Sequence, residues 1–143
     1  MKGTTMENVS IRPIKFRAWD KDAKEMRPWS NRVTASFDVG TDSAVDWGFV
    51  YNQPHRFVLM QFTGLTDKNG KEIWEGDIVR DVDWGQQERA TGQVCWQRTE
   101  WVIKKKPEAK RWWNFSPLAK GWEEHLEVIG NIFTNQELIN DSK

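Results

Sequence analysis

The sequence predicts a mainly β protein, and three observations favour that fold class. Several short segments alternate apolar and polar side chains with a period of two, which is typical of strands. Turn sequences such as Asn69-Gly70 separate these segments, and glycine adopts the positive φ angles of tight turns at little steric cost. The helical signal is short and lies near the end of the chain. Short strands joined by tight turns therefore dominate the expected structure.

The N-terminal region is expected to contribute a β-hairpin. Residues 1–10 are polar and lack the apolar stretch of a secretory signal, so we expect a flexible tail there. Residues 11–20 alternate as a strand, which places three apolar side chains on one face: Ile14, Phe16 and Ala18. Residues 25–29 return as a partner strand, and Pro28 predicts a sheet edge because its nitrogen cannot donate a hydrogen bond.

The middle of the chain changes from irregular to strongly strand-forming. Turn-forming residues dominate 30–56, where we expect a loose connection with one strand near 49–51. Residues 57–63 form an apolar, β-prone run, and the chain should leave this strand at 64–67. The Asn69-Gly70 turn then leads into short strands at 72–74 and 78–84.

The C-terminal third continues the strand pattern and ends in a helix. Strands are predicted at 92–97, 101–103 and 126–133. Residues 134–137 (Thr-Asn-Gln-Glu) have the spacing of a capping box, in which the threonine hydroxyl accepts a hydrogen bond from the amide three residues later. This spacing predicts a helix of one or two turns at the end of the fold.

The order of these strands favours a small barrel. The chain shares three features with SH3-like β-barrels: a strand that opens with Gly-Asp-Ile-Val, a meander that follows it, and a later Gly-x-Val. We therefore expect three parts: a flexible tail at 1–10, a β-hairpin with an irregular connection at 11–56, and an SH3-like β-barrel with a short C-terminal helix at 57–143. Fold likeness of this kind carries no function by itself.

Composition excludes several functional classes. The 143 residues leave room for one ordinary domain, and 38% apolar with 29% charged residues suit a soluble globular chain. Lysine plus arginine and aspartate plus glutamate total 21 each, so the basic excess of a DNA-coating or membrane-surface protein is missing. No apolar run approaches the roughly 20 residues of a transmembrane helix. A single cysteine, Cys95, allows no intrachain disulfide, which fits a reducing cytoplasm.

Tryptophan is unusually abundant, with ten residues in the chain. Each indole can bury about 200 Å² of surface, so most of these residues should form the core. Ten indoles exceed what one small core easily hides, and large aromatic side chains are favoured anchors at interfaces. We therefore expect some tryptophans on the surface or at a subunit boundary.

Three segments of the chain together resemble a known family. They are I-K-F-R-A-W-D at residues 14–20, L-M-Q-F-T-G-L-T-D-K-N-G-K-E-I-W-E-G-D-I-V at 59–79 and E-V-I-G-N-I at 127–132. In this order, and at this chain length, the segments resemble the YopX family of phage and prophage proteins. The resemblance implies a C-terminal SH3-like barrel and a largely uncharacterised activity, and it supplies no catalytic residues.

The titratable residues form no recognisable catalytic or metal-binding pattern. Five carboxylates are close in sequence, but solvated residues on a sheet give the same clustering: Glu72, Glu75, Asp77, Asp81 and Asp83. Asp77, after Gly76, is expected to cap backbone amides in the bend. No sequence pattern places a nucleophile and an orienting partner beside His55 or His125. Cys95 should be an inert, partly buried thiol. We predict no catalytic residue, cofactor or metal.

The best candidate for partner binding is a basic-aromatic segment near the end of the chain: Lys104, Lys105, Lys106, Lys110, Arg111, Trp112 and Trp113. Its cations can attract phosphates and its indoles can stack on unpaired bases, a combination that single-strand binders use. The same surface can equally bind a protein, or it can be a solvated loop. We expect a non-enzymatic protein-binding module, with a host factor or a second copy of the chain as partner. A single-stranded nucleic-acid binder is the alternative, and an enzyme ranks third.

Overall fold

The computed structural model describes residues 13–28, 50–81, 91–105, 112–114 and 125–140. The expected flexible tail at 1–10 lies outside these ranges. The described residues form strands and one C-terminal helix, with these bounds: β1 (Phe16–Asp20), β2 (Glu25–Arg27), β3 (Phe57–Thr66), β4 (Glu72–Trp74), β5 (Asp77–Asp81), β6 (Thr91–Gln97), β7 (Glu100–Lys104), β8 (Trp112–Asn114), β9 (Leu126–Asn131) and α1 (Glu137–Asn140). The predicted mainly β fold class is confirmed.

The strands form two antiparallel sheets. The first has the order β2-β1-β3-β4, and the second has the order β8-β7-β6-β5-β9. The second sheet is compatible with the SH3-like barrel, which stays a prediction at that level of detail. No helix among the described residues is long and apolar enough to span a bilayer.

The first sheet joins the N-terminal hairpin to the middle of the chain. The predicted β1–β2 hairpin is confirmed, and β2 lies at the sheet edge, as Pro28 indicated. Strand β1 also pairs along its whole length with β3, from Phe16 opposite Gln61 to Asp20 opposite Phe57. Strands from before residue 57 (β1 and β2) and from residue 57 onwards (β3 and β4) therefore belong to one sheet. The expected boundary between two parts of the chain at residue 57 stays a prediction.

Strand β3 is longer than predicted. It continues through Gly64 to Thr66, where we had expected the chain to leave the sheet. Gly64 has a φ of +89°, and the register with β4 shifts between Phe62 and Thr66. An irregularity of this kind absorbs one glycine in the left-handed region without ending the strand. Thr63 also links the two strands, because its hydroxyl donates to the Ile73 carbonyl at 2.6 Å.

The strand expected near residues 49–51 is wrong at the positions that the structure describes. Val50 and Tyr51 are helical, and the Gln53 amide donates to the Val50 carbonyl at 3.1 Å. Val50 is buried in a cluster with Ala18 and Phe57, so tertiary packing overrides its intrinsic preference for strand. Residue 49 lies outside the described ranges.

Two glycine turns position the strands as predicted. Gly70 has a φ of +78°, and its amide donates to the Asp67 carbonyl at 2.9 Å to close the β3–β4 turn. Gly76 has a φ of +83°, and its amide donates to the Val94 carbonyl at 2.8 Å. The predicted capping role of Asp77 is also confirmed, because its Oδ2 accepts the Trp74 amide at 2.8 Å.

The C-terminal helix is confirmed, but its predicted capping box is wrong. The Thr134 hydroxyl donates to Asn135 Oδ1 at 2.8 Å instead of accepting a hydrogen bond from the amide of Glu137. Asn131 Oδ1 accepts the amides of Phe133 and Thr134. The turn that follows β9 is therefore organised around an asparagine side chain, and α1 begins only at Glu137.

The core lies on one face of the second sheet and between the two sheets. Its main cluster joins Ile73 of β4, in the first sheet, to five residues of the second sheet: Val79, Val94, Trp101, Ile103 and Leu126. Trp19 of the first sheet stacks on Phe133 with ring centroids 5.0 Å apart. Of the four tryptophans whose side chains are described, Trp19, Trp74 and Trp101 are buried, whereas Trp96 is 49% exposed.

Candidate functional site

The predicted basic-aromatic segment spans a β-hairpin. Lys104, at the end of β7, is the register partner of Trp112 in β8, and Ile103 is the partner of Trp113. The structure thus brings the backbones of Lys104 and Trp112 together across the hairpin. Lys104 and Lys105 are both half-buried, and each interacts with neighbouring groups.

The remaining members of that segment are Lys106, Lys110 and Arg111, which lie outside the described residues. Strand β8 itself lies at the end of the second sheet's strand order. The support that the structure gives to this hairpin as a binding site is therefore the backbone register between β7 and β8.

A different surface emerges on the first sheet, on the face directed away from Arg17 and Trp19. Leu59 of β3 is the register partner of Ala18 in β1, and directly opposite residues of an antiparallel pair share a face. Phe57 lies two residues from Leu59 on the same face, and it clusters with Ala18 and Val50. We call this side of the first sheet the outer face.

The opposite side of the first sheet faces the interior. Arg17 Nη2 donates to Asp77 Oδ1 at 2.5 Å, and its guanidinium lies 5.2 Å from the centre of the Trp74 ring. Burial raises the pKa of the Asp77 carboxyl, and the charge of Arg17 partly opposes that rise. Trp19, next on this side, makes the stacking contact with Phe133. On the outer face Leu59 is exposed, whereas Ala18, Asp20 and Phe57 are buried.

Three large apolar side chains are exposed on or beside the outer face. Leu59 is 45% exposed, whereas Phe57 and Met60 of the same strand are buried. Ile14 is 61% exposed, and alternation along β1 places it on the side of Phe16 and Ala18. Tyr51, 81% exposed, follows the buried Val50 of the outer-face cluster. We call Ile14, Tyr51 and Leu59 the apolar patch.

One end of the outer face carries a network of ion pairs. The Asp20 carboxylate is buried and accepts Arg56 Nε at 3.0 Å and Arg56 Nη2 at 2.9 Å. Arg27 Nη2 adds a third contact at 3.2 Å. The bidentate Arg56 hydrogen bonds hold the pKa of Asp20 well below its usual range, although burial opposes this shift. Both guanidinium groups remain partly exposed, so the network forms a charged rim beside the patch.

A second ion pair lies near the start of β1, at the other end of the sheet. Lys15 Nζ contacts Glu72 of β4, and the same ammonium lies 5.0 Å from the centre of the Phe62 ring. Both charged side chains are partly exposed. Lys15 alternates with Phe16 and shares the side of Arg17, so this pair lies on the side of the sheet opposite the outer face.

The carboxylates that are close in sequence contact different partners in the structure. Glu72 pairs with Lys15 and Asp77 pairs with Arg17, while the Gln61 amide donates to Glu75 at 3.2 Å. No group of three or more potential metal ligands comes together within the described ranges. Asp83 lies outside them.

The thiol of Cys95 is half-buried in β6, and burial raises its pKa, with Lys104 opposing this shift and Glu75 adding to it. A raised pKa leaves little thiolate at neutral pH. This environment accords with the inert thiol that the sequence analysis predicted.

Sequence reasoning missed Leu59 as a surface residue. Leu59 lies within a continuous apolar run, and such a run does not show whether the strand is buried on one face or on both faces. A usable signal existed in β1, where alternation placed Ile14 with Phe16 and Ala18. The prediction would also have needed the register between β1 and β3, which places Leu59 opposite Ala18.

Comparisons with known proteins identify the family. The sequence matches the family described as "YopX protein" over residues 15–140. The chain is similar to the crystal structure of protein EF1440 from Enterococcus faecalis, with 28% sequence identity and a TM-score of 0.52. That match covers 90% of this chain and 99% of that chain. No curated protein matches the chain. Because the family match extends over most of the sequence, this protein belongs to the YopX family.

Proposed function

We propose that the protein is a non-enzymatic accessory protein of a phage or prophage that acts in the host bacterial cytoplasm by binding another protein. The observation that carries this proposal is the apolar patch on the outer face. Membership of the YopX family and likeness to EF1440 support a protein of this type. Inhibition or modulation of a bacterial machine, such as a defence system, is the form of activity that we favour.

The composition of the outer face supports a protein partner. Specific interfaces combine apolar side chains at the centre with polar and charged groups at the rim. Leu59 lies between the buried cluster of Val50 and Phe57 and the exposed Ile14, while Arg27 and Arg56 belong to the adjacent rim. Exposed apolar side chains grouped in this way favour contact with another surface over contact with water.

Replacement of Leu59 by aspartate should abolish retention of a bacterial partner. Burying the exposed part of Leu59 contributes roughly 1 kcal/mol, and burial of an unpaired aspartate at the contact adds a further cost, so binding weakens by about tenfold or more. Affinity capture from bacterial lysate, with quantitative mass spectrometry, compares the wild-type chain with Leu59→Asp. The matched control is Thr99→Asp, which adds the same charge at an exposed turn of the second sheet. Equal capture by all three chains would contradict the proposal.

Single-stranded nucleic-acid binding is the second candidate function, and one observation favours it. The backbone register between β7 and β8 pairs Lys104 with Trp112, so a basic and an aromatic residue are neighbours along this pair of strands. Cations that follow a phosphate backbone and aromatic rings that stack on bases are the two components of such sites.

Oligonucleotide titration tests this second candidate. Binding should change tryptophan fluorescence with single-stranded oligonucleotides at low salt, and affinity should fall steeply as salt is raised. The double variant Lys104→Gln/Lys105→Gln should reduce the salt dependence, because fewer counterions are released. A flat titration at low salt would eliminate nucleic-acid binding and leave the protein-binding proposal standing.

A further inference from the structure

We propose that Asn69 is a site of spontaneous modification, where ring closure onto the Gly70 nitrogen converts the asparagine to aspartate or isoaspartate, and that opening of the β3–β4 turn controls the rate. Water is the co-reactant. The inference does not depend on the proposed binding function. Two sets of observations carry it: the exposure of the Asn69-Gly70 pair and the hydrogen bonds that hold its turn closed.

The reaction proceeds through a cyclic imide. The Gly70 nitrogen attacks Cγ of Asn69 and gives up its proton, the bond between Cγ and Nδ2 breaks, and ammonia leaves. Water then opens the imide at one of its two carbonyl carbons. Opening at Cγ gives aspartate. Opening at the main-chain carbonyl carbon gives isoaspartate, in which the backbone runs through the side chain and is longer by one methylene.

The Asn69-Gly70 pair is accessible to this chemistry. Both residues are exposed, so water can reach the carbonyl carbons. A methyl group placed on Gly70 would meet no heavy atom within 4 Å, so the space beside the attacking nitrogen is open. Glycine also adds no side chain that would hinder the approach of that nitrogen. Exposure and sterics therefore both permit ring closure at this position.

The closed turn keeps the two reacting atoms apart. The Gly70 amide donates to the Asp67 carbonyl at 2.9 Å, and neither Lys68 nor Asn69 has a positive φ. A hydrogen-bonded turn with these properties is type I, and its second central residue, here Asn69, has ψ near 0°. Ring closure needs the Gly70 nitrogen beside Cβ of Asn69, a rotation of about 120° from that position, because the substituents of Cα are arranged tetrahedrally. The turn therefore has to open before Asn69 reacts.

The Asp67 carboxylate opposes this opening. Its Oδ1 accepts the amides of Asn69 and Lys71, one on each side of Gly70, and its Oδ2 accepts the Val128 amide of β9, each at 2.9 Å. The rate of a reaction that needs local opening follows the population of the open form. Isoaspartate lengthens the backbone between the two amides that share Oδ1, so the observed set of bonds cannot form again. The modified turn is then less firmly attached to β9.

Peptide mass spectrometry of the incubated full chain tests the inference. The replacement of the amide by a carboxyl should appear at Asn69 about tenfold or more slowly in the native wild type than in the urea-unfolded chain, because only the open turn reacts. Asp67→Ala should raise the native rate by about tenfold or more, because the lost hydrogen bonds no longer oppose opening. Asp67→Asn keeps one acceptor oxygen and should react at an intermediate rate, and it replaces the alanine variant if that variant does not fold.

Arg17→Ala is the matched control, because it removes an ion pair between β1 and β5 and leaves the Asp67 carboxylate in place. The variants are compared at urea concentrations that give them the same free energy of unfolding. Faster reaction in the Asp67 variant supports control by the turn. Equal rates would mean that global unfolding controls the reaction, and the inference would be overturned. A native wild type that reacts as fast as the unfolded chain, or an Asn69 that stays intact in urea, would overturn it as well.

The products give a second readout that a change in rate alone does not. The isoaspartate form, separated from the unmodified chain by ion exchange, should unfold at a lower urea concentration than the wild type. Asn69→Asp carries the same charge on an unaltered backbone at an exposed position, so it should unfold like the wild type. If the isoaspartate form and Asn69→Asp unfolded at the same urea concentration, the proposed loosening of the attachment to β9 would be wrong.

Discussion

Replacement of Arg17 by alanine is expected to lower the free energy of unfolding by about 3–5 kcal/mol, because it leaves the buried Asp77 carboxylate without its ionic partner. The pair links β1 of the first sheet to β5 of the second at 2.5 Å, and the Asp77 side chain is almost fully buried. Arg17 also covers the Trp74 ring, so its truncation removes packing as well as charge. Urea unfolding at constant pH measures the loss.

The loss should depend on pH in a direction that identifies its cause. Burial already raises the pKa of Asp77, and removal of Arg17 removes the charge that opposes this rise. A carboxyl whose pKa is raised in the folded state is penalised above that pKa and relieved as it takes up a proton below it. The destabilisation by Arg17→Ala should therefore be larger at pH 8 than at pH 5.

A charge-free pair provides the control for this prediction. In Arg17→Met/Asp77→Asn, the asparagine oxygen can still accept the Trp74 amide, and neither residue carries a charge. This double variant should recover much of the stability that Arg17→Ala loses and should show little difference between pH 5 and pH 8. A loss in Arg17→Ala that is the same at both pH values would mean that packing, not the unpaired carboxylate, dominates.

Replacement of Asp67 by alanine is expected to cost about 3 kcal/mol, because three backbone amides lose one acceptor side chain. Asp67 Oδ1 accepts the amides of Asn69 and Lys71, each at 2.9 Å, and Oδ2 accepts the Val128 amide at 2.9 Å. The carboxylate thus closes the β3–β4 turn and attaches it to β9. The same urea titration reports the change in the free energy of unfolding.

Two variants separate the turn from its attachment to β9. Asp67→Asn keeps one acceptor oxygen and should lose about half as much stability as Asp67→Ala. Asn69→Ala keeps every backbone amide and should change stability by only about 0.5 kcal/mol or less. If Asp67→Ala were no more harmful than Asn69→Ala, the carboxylate would not connect the two elements energetically.

Local chemistry explains which parts of the fold could be predicted from the sequence. Period-two alternation identified β1, β5 and β6, because side chains on successive strand positions point to opposite faces. Asn69-Gly70 identified its turn, since a positive φ at glycine is a property of that residue. Strand bounds were less accurate at β3, where the irregularity at Gly64 depends on the partner strand.

The contacts that define the outer face and its rim are not local. Nothing near Val50 indicates that it packs on Ala18, and nothing near Asp20 indicates that Arg56 will bind its carboxylate. Such contacts follow from strand pairing, which single-sequence patterns do not determine. For the same reason the basic-aromatic segment could be noticed as a run of residue types, whereas the apolar patch could not.

The two inter-element contacts whose loss is predicted to cost most stability also constrain the order in which the protein folds. Arg17 and Asp77 are separated by 60 positions, and Asp67 and Val128 by 61. During synthesis, β1 is complete before its partner β3 has been made, and β5 is complete before its partner β9 has been made. Topologies dominated by distant pairings acquire their structure slowly, on the scale of milliseconds to seconds. The long-range pairings therefore form late in folding, and strand edges that still lack a partner are prone to aggregation.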